Sequence, residues 1–280
     1  MASKIIGLDQ WFQTPPGQYL LDWERARYAQ AVADVFGYHA LQLGLPVLNT
    51  LASNSKPHRW LAMPLASSDG TPLTTPSLLP ALQPALQPAL ITDFAALPFA
   101  ENSLDLVTLP HSLELGADPH ASLREVARVL VPDGRAIITG LNPASLWGLR
   151  QRRAKLWRSL GWGELYLPDM GEFIAYRRLR DWLRLLDFEV EASQFGCYRP
   201  AVRSAQWLER TAWADGLGPR WWPILGAAYS IVAVKRVRGM RLLGLDRRRL
   251  RASQASPAVV ANRAAAAREI FQMLERETDD

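Results

Sequence analysis

The chain has 280 residues, 49% of them apolar and 21% charged, the make-up of a packed, soluble protein with room for one α/β domain and an added lobe, or at most two domains. Cys197 is the sole cysteine, which excludes an intramolecular disulfide and makes a reducing cytoplasm the expected compartment. The formal charge of +5 is concentrated: Lys235–Arg251 holds eight basic residues against Asp246, a net of +7, so the rest of the chain is slightly acidic and is not marked as a nucleic-acid-binding fold.

The opening MASKIIGLDQWF lacks a basic region followed by a long apolar run, so no secretory signal is read there. From Gly17 to Phe36, apolar residues at Leu20, Leu21, Trp23, Tyr28, Ala31, Val32 and Val35 predict a helix. His39–Leu43 then reads as a strand ending at Gly44, Val47–Ala52 as a brief helix, and Arg59–Leu65 as a second strand. Eight of the twenty prolines lie between Pro57 and Pro98, with a PALQ-PALQ-PAL repeat from Pro80 to Leu90. Proline every fourth residue forbids a regular helix, so residues 64–90 read as a stiff loop where a crossover helix is usual.

Ala89–Thr92 predicts a third strand ending at Asp93, and Leu104–Leu109 a fourth. Asp118-Pro119 is an N-cap followed by proline at the first helical position, and Leu123, Val126, Ala127 and Leu130 make the apolar stripe of the helix it opens. Pro132-Asp133-Gly134 reads as the turn that closes this helix, and Arg135–Thr139 as a fifth strand. Strand, helix and strand joined by short connections imply parallel pairing through a right-handed crossover. An Arg- and Trp-rich helical insertion follows from Ser145, then a helix marked by Leu179, Trp182, Leu183 and Leu186, then strands at Phe188–Ala192 and Tyr229–Val234. The longest nearly continuous apolar run, Trp221–Val234, falls short of the roughly 20 residues a membrane helix needs. No P-loop, GxSxG or zinc-type spacing is present, and no metal site is expected.

The segment LPFAENSLDLVTLPHSLELGADPHASLREVARVLVPDGRAII, Leu97–Ile138, resembles the centre of the class I S-adenosylmethionine-dependent methyltransferases of the type 11 group, and a proteobacterial branch of it with a degenerate glycine loop. Phe36-Gly37-Tyr38, Gly140-Leu141-Asn142-Pro143 and Leu183–Val190 carry the resemblance further, over about residues 10–237. It implies an α/β, Rossmann-like, mostly parallel sheet with helices on both faces and an aromatic-rich helical insertion over 145–170. The methyltransferase-like domain would span 1–237, with the Pro-rich loop 64–90 inside it, and 238–280 would be a basic tail, partly disordered or helical.

The resemblance also implies S-adenosyl-L-methionine as cofactor. Asp93 would accept a hydrogen bond from the adenine amino group, the backbone of Phe94 would read the ring edge, and Pro110 would close strand four at the same rim. At the first turn the family carries an acid and three glycines, whereas this chain has Gln42, Gly44, Pro46 and Leu48. Pro46 has no N–H to donate, and an acid closing the second strand, which would hold the ribose, is missing. Gln42 and Gly44 are thus the remaining cofactor-side residues of a reduced loop. His111, just past strand four, is the candidate general base should the acceptor need to lose a proton.

The expected activity is in-line methyl transfer to an acceptor the sequence does not identify, small and apolar in the simplest case. Eight of the eleven tryptophans lie between Trp147 and Trp222, where the resembling fold covers its acceptor. The alternative is a non-catalytic module that has lost or weakened cofactor binding. A third reading puts the function in the basic segments, residues 235–251 and Trp147–Trp157, touching nucleic acid or an anionic membrane.

Overall fold

The described residues of this computed structural model are 11–64, 88–159, 165–168 and 173–236. Their strands are β1 (His39–Leu43), β2 (His58–Pro64), β3 (Pro88–Thr92), β4 (Leu104–Pro110), β5 (Leu130–Leu141), β6 (Phe188–Gly196) and β7 (Ala228–Lys235). They form one sheet in the order β3-β2-β1-β4-β5-β7-β6. Pairing is parallel from β3 across to β5, while β7 runs antiparallel to both β5 and β6. The chain moves outward from β1 to β3, then returns to the other side of β1 as β4. The order therefore reverses between β1 and β4, the place where open α/β sheets bind ligands outside their carboxyl ends.

Side-chain alternation along the strands gives the sheet two apolar faces. On one, Ala40, Leu106, Ile137 and Leu141 join Leu20, Leu21, Tyr28 and Val32 of α1 (Pro15–Ala33). On the other, Leu41, Leu43, Val107, Leu109, Ala136 and Ile138 join Leu123, Val126 and Val129 of α3 (Pro119–Val129) and Leu179 and Leu183 of α5 (Tyr176–Leu185). A short α2 (Ser112–Leu115) follows β4, α4 (Leu146–Ser159) follows β5, and α6 (Ala205–Arg210) and α7 (Trp213–Trp221) lie between β6 and β7.

The helix starts follow from local chemistry. Thr14 precedes Pro15 and Pro16 and accepts a 3.4 Å hydrogen bond from the Gly17 amide. Asp118 accepts one of 3.0 Å from the Ala121 amide, as its Asp-Pro signature predicts. Asp105 takes the amides of Tyr38 and His39 at 2.8 and 2.9 Å, tying the start of β4 to the entry of β1.

Two sequence expectations are corrected. Val47–Ala52 forms turns rather than a helix. Pro132-Asp133-Gly134 does not end a helix before a separate strand. It lies inside β5, as a bulge between the pairings Leu104–Leu130 and Leu106–Arg135, with Asp133 at φ 62°. Of the Pro-rich loop 64–90, residues 65–87 lie outside the described residues, as do 160–164 and 169–170 of the insertion and the whole of 238–280.

Candidate functional site

The turn after β1 is organised by Gln42, whose side chain is fully buried. Its Nε2 donates toward the carbonyls of Gly44, Leu45 and Leu48 at 3.1, 3.0 and 2.7 Å. Its Oε1 accepts from the Thr50 amide at 3.0 Å and from the Thr50 hydroxyl at 2.8 Å. Thr50 in turn lies 2.6 Å, oxygen to oxygen, from Thr108 on β4. Leu45, Leu48 and Leu51 are buried in the α1-side core. The turn is thus wound around one amide and anchored by three leucines. This corrects the placement of Gln42 among cofactor-facing residues: its donors and acceptor are engaged within the protein. Leu48 likewise points into the core and not at a ligand.

Four other expected residues lie along one carboxyl edge. Gly44 has φ +69°, and a Cβ there would lie 3.6 Å from both the Phe94 ring and the Ser112 hydroxyl. The Gly44 amide is held by the Ala62 carbonyl of β2 at 2.7 Å. Ser112, two residues past Pro110, donates to the Leu43 carbonyl of β1. Asp93 is exposed at the end of β3, where one carboxylate oxygen accepts from the Ala95 amide at 2.9 Å. The carboxyl ends of β1, β3 and β4 therefore bring Gly44, Asp93, Phe94 and Pro110 to one edge of the sheet. The Phe94 side chain itself is buried in the core against this turn.

His111 does not present itself to a substrate. It follows β4 in the left-handed region (φ 53°) and is buried, with Nδ1 2.8 Å from Glu114 Oε2 and Nε2 2.8 Å from Glu24 Oε1 on α1. The Glu24 contact has ion-pair distance without hydrogen-bond alignment, so both Glu24 oxygens lack an aligned partner. Glu114 is better held, with Oε1 accepting from the Leu141 amide at 2.7 Å. Burial alone would depress the imidazole's pKa; the charges of Glu24 and Glu114, with the hydrogen bond to Glu114, outweigh it and raise it to about 10. The Glu114 carboxyl is itself pushed up by burial. A histidine protonated at neutral pH and enclosed by two carboxylates is not a general base, which corrects that assignment. Glu24 was missed, yet it had a signal: an acid at i+4 from Leu20 and i−4 from Tyr28, within the apolar stripe of α1.

A cleft of about 900 Å³ opens farther along the sheet, between the first half of α1, the end of β6 with Cys197–Arg199, and α6–α7. The Tyr19 hydroxyl donates to Asp215 Oδ1, Arg199 Nε donates to Asp215 Oδ2 at 2.8 Å, and the Arg199 guanidinium lies 4.4 Å from the Tyr19 ring centre. Burial raises the Tyr19 pKa far above its ordinary range, so the phenol stays protonated. The cleft has the size of a small-molecule site. The Tyr19–Asp215–Arg199 cluster was not read from the sequence, because Tyr19 and Asp215 are 196 positions apart.

Residues 74–138 match the family model described as a methyltransferase domain, a span that includes β3, β4 and α3. The Escherichia coli (strain K12) protein YafS is 42% identical over 100 residues, covering 35% of this chain and 39% of that one. This chain therefore matches well under half the length of that relative. Among solved structures, the complex between the Haloferax volcanii Trm112 methyltransferase activator and a methyltransferase contains a chain with TM-score 0.51 and 18% identity, covering 84% of this chain and 99% of that one. A SAM-dependent methyltransferase from Thermotoga maritima gives TM-score 0.51 and 16% identity over 81% of this chain and 94% of its own. These similarities carry the fold, and the domain match falls on the strands that form the Asp93 rim. The described residues thus share the fold of these methyltransferase structures, and residues 74–138 match a methyltransferase-domain model.

Proposed function

We propose that this chain transfers a methyl group from S-adenosylmethionine to an acceptor, with the adenosine end of the donor held at the β3–β4 rim. The observation that supports this is the packing of Gly44 against Phe94 and Ser112 beside the end of β4 at Pro110, with Asp93 exposed farther along the same carboxyl edge after β3; Asp93, Phe94 and Pro110 fall inside the family-matched span. The residues fit the cofactor in part. Asp93 is exposed with carboxylate capacity beyond its bond to the Ala95 amide, which suits an adenine amino group. The remainder of the usual cradle is changed: the Gln42 amide is occupied, Pro46 has no N–H, and β2 ends without an acid.

A sulfonium donor supplies an electrophilic methyl group, so this protein's contribution is alignment more than proton transfer. His111 is closed to a substrate proton, so the acceptors this reading favours are already nucleophilic or lose their proton to water. The cleft beside Tyr19 and Arg199, on the same carboxyl edge, is the place proposed for the acceptor.

A second reading, a class I fold kept as a binding module, has a specific observation in its favour: the loop is complete without a ligand, with Gln42 satisfied and Leu48 buried. Calorimetry with S-adenosylmethionine and its demethylated product separates the two. The enzyme reading expects binding by the intact chain and, in Asp93→Ala, a loss of roughly tenfold with an unchanged melting temperature. Absence of heat for either ligand at millimolar concentration would leave the binding module standing. Equal affinity of the variant would remove Asp93 as the adenine anchor.

A further inference from the structure

Helix α7 turns small residues inward and large apolar ones outward. Ala214 and Gly218 are buried, and a Cβ on Gly218 would collide with the Tyr198 ring. Trp213, Leu217 and Trp221, at i, i+4 and i+8, line the opposite side and are 60%, 44% and 69% exposed. Trp207 on α6, and Trp222, Ile224 and Leu225 just past α7, are exposed as well. A helix in a water-soluble fold normally turns such a stripe to the core. Single exposed apolar residues need no explanation, but a stripe of this kind marks a surface that is covered in use.

The charges around it select the cover. Arg210 and Arg220 are exposed at the ends of α6 and α7, and the Arg210 guanidinium lies 5.4 Å from the Trp207 ring centre. Of the two acids in this segment, Asp215 is taken by Tyr19 and Arg199 on the inner side, which leaves Glu209. The connection that leads into α6 is braced by α4, through Trp147 Nε1 to the Arg199 carbonyl at 2.9 Å and Arg150 to the Ala201 carbonyl. Helix α4 contains Arg150, Arg152, Arg153, Lys155 and Arg158 and no acid, and exposes Leu149, Leu156 and Trp157. Indole rings and aliphatic side chains edged by arginine match the interface of an anionic bilayer, where Trp sits at headgroup depth and each cation adds attraction. A second copy would bring like charges together, and the +7 segment Lys235–Arg251 has the wrong sign to cover a basic face.

We propose that the outer face of α6–α7, flanked by the basic helix α4, docks on an anionic membrane surface. This is independent of the methyl-transfer reading, because it concerns the side of α6–α7 that faces away from the cleft and its test involves no cofactor.

The experiment is flotation of the full chain with vesicles of phosphatidylcholine alone or mixed with phosphatidylglycerol, with tryptophan emission recorded alongside. The intact protein is expected to float with the anionic vesicles, with a blue-shifted emission. W213S/W221S, and separately L217S, should melt as the parent does, since these side chains are exposed. The double variant should partition on the order of tenfold more weakly. R247S/R248S/R249S should still float. Failure of the intact chain to float overturns the proposal. So does undiminished flotation of W213S/W221S and L217S, or loss of flotation only in the triple arginine variant. Self-association abolished by W213S/W221S, without vesicle binding, would assign the face to a second copy and overturn it equally.

Discussion

Gln42 engages both ends of its amide with its own loop, three carbonyls on one side and Thr50 on the other. An acid at this position has no N–H to offer. Gln42→Glu would set a carboxylate oxygen against the carbonyls of Gly44, Leu45 and Leu48 in a site closed to water. The expected loss is about 2–4 kcal/mol, read as a fall in the urea midpoint with an unchanged slope. A midpoint equal to the parent's would show that the loop is not held by this amide. The residue difference that the sequence presents as a missing cofactor contact is, in the structure, the device that shapes the turn.

At the scale of elements, most of the sheet is legible from the chain. Asp118-Pro119 announces α3, the apolar stretch Leu104–Leu109 announces β4, and short connections impose parallel pairing. The failures have physical causes. Pro132-Asp133-Gly134 has turn chemistry, yet β4 pairs with β5 on both sides of it, so the turn residues become a bulge within a strand. The orientation of α7 was not read from the sequence, because the neighbour that decides it, Tyr198, is twenty residues from Gly218. Only a residue without a Cβ lets that ring approach Gly218. Gly218→Ala should therefore lift α7 from its seat at a cost of about 1–3 kcal/mol, measured as a lower melting temperature. The position of Asp93 and Phe94 just past β3 was legible from chain order. What rests on long-range packing was not, as with Glu24 against His111 and Tyr19 against Asp215.

Across the whole molecule, α1 is fastened to the sheet by polar contacts within an apolar layer: Glu24 to His111, and Tyr28 to Thr139 at 3.2 Å. This fastening makes stability depend on pH. Below about pH 6.5 the folded and unfolded chains both hold the imidazole proton, and the ion pairs contribute in full. From there to about pH 10 only the folded chain retains it, so stability should fall steadily as pH rises and the contribution should be gone above that range. Chemical denaturation across this window should show the decline in the parent. His111→Gln should be less stable by about 3–5 kcal/mol at neutral pH, with two uncompensated buried carboxylates, and should lack that decline. A parent whose stability is level over the same window would mean that His111 is neutral in the folded protein.

The bond pattern at Gln42 also constrains how such a loop can change over generations. Glutamine, Thr50 and the buried Leu48 support one another, so replacing any one of them toward an acid-and-glycine turn exposes the chain to a penalty before any ligand can compensate. Passage between the two loop designs requires concerted replacement, or a stabilising change elsewhere first. Once assembled, the turn resists stepwise reversal.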